Sequence, residues 1–170
     1  MRANDTEWLL EHSEMTDANP LFVWQYWTDV THWVDPPASF SLDGPFRAGS
    51  CGETIFPDRE PLRWTLEEVH AGVSYTIASD LDGAVLLFQW RFDPAAGGGT
   101  KLAQRIGLSG PGSASHAEGV RSAFASTLGA GMKRIAILLS EAQARSEGAA
   151  QQGDAPDKVR AGNENRGPCR

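Results

Sequence analysis

Four side chains in this sequence combine acid–base or hydrogen-bonding chemistry with a strand pattern that turns them inward. His12 and Glu14 lie two residues apart in a run that reads as a strand, so they project to the same face. An imidazole beside a carboxylate is a general base with the group that orients it. On a shifted or edge strand the same two side chains would simply meet water. Tyr75 stands between Val73 and Ile77, where its hydroxyl could bind a ligand carbonyl or a backbone group of the core. Gln104 stands between Leu102 and Ile106, and a buried amide there needs partners from a ligand or a neighbouring strand. His12, Glu14 and Tyr75 are therefore the candidate catalytic residues.

Other chemistries lack their signatures. There is no CxxC, no Gly-x-Ser-x-Gly elbow and no Walker loop; Gly97-Gly98-Gly99-Thr100-Lys101 has the wrong spacing and precedes a strand. The histidines at 12, 32, 70 and 116 show no metal-ligand spacing. The expected site holds no metal and needs no cofactor.

The elements that must position these residues follow from periodicity. Ser115 to Glu147 is the one segment long enough for a major helix, about 45 Å at 1.5 Å per residue. Ser115 and Glu118 read as a capping box. Val120, Phe124, Leu128, Gly131, Ile135, Leu138 and Ala142 form a stripe at spacings of three and four that must be covered. Strands are expected at 6–15, 39–43, 48–56, 62–70, 73–79, 85–93 and 102–108, with a bulge near Glu67-Glu68 and a type I′ turn at Asp82-Gly83. Two short helices follow the first strand, one opened by Asn19-Pro20 and one capped by Thr28 or Asp29. The sum is an α+β fold: a curved, seven-stranded antiparallel sheet wrapped around a long C-terminal helix.

Residues 1–147 form one domain in this reading. Residues 148–170 have almost no large apolar side chain and read as a disordered tail. A net charge of −7 argues against nucleic acid or an anionic membrane as partner. No apolar run is long enough to insert into a membrane, and no signal peptide is visible. The two cysteines, Cys51 and Cys169, sit in a strand and near the C-terminus, an arrangement read as unpaired and as cytoplasmic. Oligomeric state is open.

Several phrases resemble the START-like, SRPBCC helix-grip superfamily, and within it the polyketide cyclase/dehydrase and lipid-transport family. They are Glu11-His12-Ser13, Asp17-Ala18, Val23-Trp24, Thr28-Asp29-Val30 with Trp33, and Leu42-Asp43-Gly44-Pro45. Gly99-Thr100-Lys101-Leu102 with Gln104, Arg105 and Ile106 belongs to the same set. The resemblance covers about residues 6–144 and implies a deep pocket for a hydrophobic or polycyclic small molecule. Family members place apolar residues where this chain has Glu14 and Thr16, which makes the expected cavity wall more polar here.

A strongly curved sheet leaves volume opposite a helix that carries a glycine in mid-stripe. The expected cavity opens near Trp24 and Trp33. Its lining is Trp24, Tyr75, Phe88, Trp90, Gln104, Phe124, Leu128 and Gly131. The function expected is binding of a hydrophobic, lipid- or polyketide-like molecule. The rivals are a cyclase or dehydratase that uses the polar residues, and a protein-interaction module of the chaperone-activator kind, which would need an exposed apolar patch.

Overall fold

A computed structural model describes residues 5–151. Seven strands form one antiparallel sheet in the order β1-β7-β6-β5-β4-β3-β2. They are β1 (Glu7–Thr16), β2 (Ser39–Asp43), β3 (Cys51–Phe56), β4 (Arg59–His70), β5 (Ser74–Leu81), β6 (Ala84–Pro94) and β7 (Thr100–Ser109). Between β1 and β2 lie helix α1 (Pro20–Trp27) and a 3-10 turn, Val30–His32. The chain then continues through α2 (Ser113–Phe124) and α3 (Leu128–Ala150).

Local chemistry accounts for most boundaries. The Asn19 side chain accepts from the Phe22 amide at 2.8 Å, and Pro20 occupies the first helical position, so α1 starts where expected. Asp29 caps the 3-10 turn by accepting from the Thr31 amide at 3.0 Å and from its hydroxyl at 2.6 Å. These two bonds hold the Asp29 carboxyl below the usual carboxylate range. The β4–β5 register shifts between Leu66 and Glu68, at the expected bulge. Asp82-Gly83 does join β5 to β6, but not as a type I′ turn. That turn needs φ > 0 at both central residues, and only Gly83 has it, at 70°.

The long helix is the main correction. It is two helices, broken at 125–127. Ser126, Thr127, Gly129 and Gly131 crowd this stretch, and each lowers helix propensity. Thr127 also turns its hydroxyl back toward the carbonyls of Ala123 and Phe124. No capping box forms: α2 begins two residues before Ser115, and the Ser115 hydroxyl donates to the Gly112 carbonyl. The break rephases the second helix. Its buried residues are Met132, Ala136, Leu139 and Ala142, a stripe displaced mostly by one position from the expected one. One position is about 100° around a helix. Helix α3 also runs to Ala150, past the expected end at Glu147; the rest of the expected tail lies outside the described residues.

Helix α3 packs chiefly on β1, the sheet edge, rather than across the whole concave face. Thr16 fastens it there. Its hydroxyl donates to the Ala136 carbonyl at 2.8 Å and lies 2.9 Å from the Ser140 hydroxyl. The Asn19 amide adds a bond to Gln143 Oε1 at 2.7 Å. Thr16, expected on a cavity wall, is thus a buried strap between sheet and helix. Cys51 is disulfide-bonded, which corrects the expectation of unpaired cysteines and removes its support for a reducing compartment. The second cysteine lies outside the described residues. Among the described residues no helix is long and apolar enough to cross a membrane.

Candidate functional site

One row across the sheet decides where a site can be. His12 on β1 pairs with Gln104 on β7, Gln104 with Trp90 on β6, and Trp90 with Tyr75 on β5. Directly opposed residues project to the same face, here the concave one. The row begins polar and ends aromatic.

The aromatic end is sealed. Trp27 Nε1 donates to the Tyr75 hydroxyl at 2.9 Å, and Trp33 Nε1 donates to the Trp27 carbonyl at 2.7 Å. The Trp33 ring lies nearly parallel to Tyr75, 6.1 Å away at 10°, and stacks on Trp64 at 5.6 Å. Trp90 stacks on Phe92 at 6.1 Å, and Trp24 meets Tyr75 and Phe92 edge-on. Tyr75, Phe92 and Trp90 are all buried. Burial pushes the Tyr75 hydroxyl well above the usual tyrosine range, and the bond from Trp27 only partly offsets this. Tyr75 is therefore a core residue whose oxygen already has a partner, not an acid or base facing a ligand. Trp24 and Trp90 belong to the same packed cluster.

The polar end is open. His12 Nε2 lies 2.9 Å from Glu14 Oε1, and the two side chains keep 37% and 29% of their surface. Both face inward, as the alternation from Leu10 to Thr16 requires. Gln104, Phe88, Phe124 and Leu128 are likewise only half-buried. Phe88 meets Phe124 edge-to-face at 5.4 Å, and both pack near Leu128 at the α2–α3 junction. His12 Nδ1 and the Gln104 amide have no hydrogen-bond partner among the described residues. No buried side-chain nitrogen or oxygen lacks a partner there, so solvent reaches both groups.

A glycine does shape this end, but it is Gly129. A Cβ there would lie 3.2 Å from His12 Cε1 and 3.5 Å from both ring nitrogens. The bare helix backbone is what lets the imidazole lie beneath α3. Gly131, expected to face the cavity, has only the Arg134 guanidinium at 3.8 Å beside its Cβ position. The one-position rotation of the stripe exchanged the two. Reading the stripe as 129, 132, 136 and 139 would have been as regular in sequence; the break that selects it was the missed signal.

A separate crevice of about 480 Å³ lies between the 3-10 turn and β2, lined among others by Asp29, Val30, Phe40 and Phe46. None of the eight expected ligand-lining residues borders it. It is near the short helices, where the mouth was expected, but does not reach the His12–Gln104 row. Among the described residues no three of His, Cys, Asp and Glu cluster as metal ligands would.

No protein-family model matches the sequence, and no curated protein matches it. Solved structures do match in shape. A point mutant of norcoclaurine synthase from Thalictrum flavum, in complex with a transition-state analogue, superposes with a TM-score of 0.61 at 14% identity. That match covers 81% of this chain and 96% of the enzyme's. The fold is the START-like helix grip. Ara h 8.0201 matches with a TM-score of 0.56 at 16% identity, over 79% of this chain and 97% of its own. The di-domain ARO/CYC StfQ of the steffimycin biosynthetic pathway matches with a TM-score of 0.61 at 13% identity. There the match covers 84% of this chain and 53% of StfQ. At such identities the comparison supports the helix-grip architecture and leaves the site to be argued from this chain's own residues.

Proposed function

We propose that this domain binds an apolar small molecule, of lipid or polyketide type, in the cleft between the concave sheet and the α2–α3 junction. The observation that carries the reading is the half-buried state of inward-facing Phe88, Phe124 and Leu128 around the polar floor of His12, Glu14 and Gln104. Apolar walls left partly wet favour a ligand that covers them, by about 25 cal/mol per Å² buried. A few polar groups on the floor would orient it. Two proteins of the same fold carry the names of a synthase and of an ARO/CYC protein, which adds weight to a small-molecule role. An interaction module draws less support. The exposed apolar residues Met15, Leu21, Val34, Ile55, Leu62, Val73 and Ile137 are spread over separate elements.

The test is uptake of the neutral probe N-phenyl-1-naphthylamine, read by its fluorescence. Wild type should bind it saturably. Gly129→Leu should weaken binding by about tenfold or more, because a side chain there displaces His12 and fills the cleft. Gly131→Leu, in open space, should bind as wild type does. Absence of saturable binding, or equal binding by both variants, overturns the proposal; thermal melts of both confirm that they fold.

A further inference from the structure

The polar floor does more than a carrier needs. A carrier's anchor can be any hydrogen-bonding group, but here an imidazole is oriented by a carboxylate two residues away. An ionised carboxylate only accepts hydrogen bonds. Glu14 therefore accepts a hydrogen bond from His12 Nε2–H, the tautomer that carries its lone pair on Nδ1. That nitrogen is unpartnered and reached by solvent. Directly across the β1–β7 pair stands Gln104, whose amide offers unused donors. Opposed side chains on such a pair have Cβ atoms about 5 Å apart, a span that one carbonyl group and its neighbouring carbon can bridge. Gly129 holds the helix against the ring without covering it by a side chain.

We infer that His12, Glu14 and Gln104 form a catalytic site for proton abstraction from the carbon next to a ketone carbonyl. The inference rests on the binding reading above. The step balances with no co-reactant. The α C–H bond breaks, its proton passes to His12 Nδ1, and the electron pair forms the enolate. The Gln104 amide donates to the enolate oxygen as negative charge gathers there. Glu14 acts as a positioning residue, holding the tautomer and balancing the charge of the imidazolium. Return of a proton from His12 restores the ketone. Reprotonation at a different carbon would make the same site an isomerase, and attack of the enolate on a second carbonyl would make it a cyclase.

The probe is 2-tetralone, a neutral bicyclic ketone with acidic α hydrogens. Binding is followed by quenching of tryptophan fluorescence. Chemistry is followed by NMR as loss of the α proton signal in D2O. Bound 2-tetralone should exchange about 100-fold faster than in buffer, the lower range of general-base contributions. His12→Gln should return the rate to within a few-fold of buffer while the quenching constant changes less than about threefold. Gln104→Leu should lower the rate by about 100-fold, the scale of losing one oxyanion donor. Glu14→Gln should lower the rate at saturation and leave the quenching constant alone, a split that loss of folding would not produce. Saturable quenching without accelerated exchange overturns the inference and leaves the binding reading standing. So does wild-type exchange in His12→Gln. No saturable quenching overturns the inference, and the probe uptake described above then decides the binding reading separately.

Discussion

The two ends of the concave face share one row of paired residues across the sheet and behave oppositely. At one end Trp27, Trp33, Trp64, Tyr75, Trp90 and Phe92 pack together, and Trp27, Trp33 and Tyr75 bond through their polar side-chain atoms. At the other, His12, Glu14 and Gln104 sit among half-buried apolar side chains with hydrogen-bonding capacity left over. The sealed end has α1 and the 3-10 turn pressed into it; the open end has the α2–α3 break above it. The packed end supplies the larger share of buried surface, and the other end keeps its polar side chains within reach of solvent. Neither end could do both, since a well-packed core leaves no room for a ligand.

The largest expected effect is at the sealed end. Trp90→Ala should cost about 3–5 kcal/mol in urea unfolding, because a ring held between Trp27, Tyr75 and Phe92 is deleted. Phe124→Ala at the open end should cost only about 1 kcal/mol, since its ring is half-exposed already. Similar losses at both would erase the distinction between the two ends.

Tyr75→Phe should cost about 1–3 kcal/mol, because it leaves the buried Trp27 Nε1–H without its acceptor. The probe uptake of this variant should match wild type, as Tyr75 is buried and its oxygen is bonded to Trp27. A specific loss of binding with unchanged stability would return Tyr75 to the site.

The same residue gives a pH test. Its folded-state proton is held above the ordinary value of about 10, so the unfolded chain releases that proton first. Tyr75 then leaves stability intact below about pH 10 and lowers it as pH rises beyond. Chemical denaturation between pH 8 and 11 should show the decline, and Tyr75→Phe should flatten it. An unchanged slope in the variant would mean that Tyr75 is not sealed.

The smallest effect separates the two glycines. Gly131→Ala should stabilise by up to about 1 kcal/mol through helix propensity alone. Gly129→Ala should gain less or lose, because its methyl group would meet the His12 ring. Equal gains would show that the imidazole does not rest on α3.

The succession of strands along the chain, the cap at Asn19, and which side chains share a face of β1, β6 and β7 were legible because they are local. Alternation with period two fixes which side chains share a face, whatever lies above that face. The same alternation put His12 and Glu14 on one face of β1 and Gln104 on the Leu102–Ile106 face of β7; the pairing of β1 with β7 and β7 with β6 is what makes it one concave face. Sequence likewise placed Phe88, Trp90 and Phe92 on one face, though not which of them would be covered.

What only the tertiary structure decided is how each face is met. Helix phase beyond a break depends on how many residues the break absorbs, and propensity at Ser126-Thr127 does not supply that number. The choice between Gly129 and Gly131 therefore waited for α3 to dock on β1. The roles of Tyr75 and Thr16 waited too, because a hydroxyl is a ligand contact or a core bond according to its partner. Those partners, Trp27 and Ala136, are 48 and 120 residues away along the chain. Sequence periodicity reports on the element that carries it, whereas a partner that distant is chosen by the packing of the whole domain.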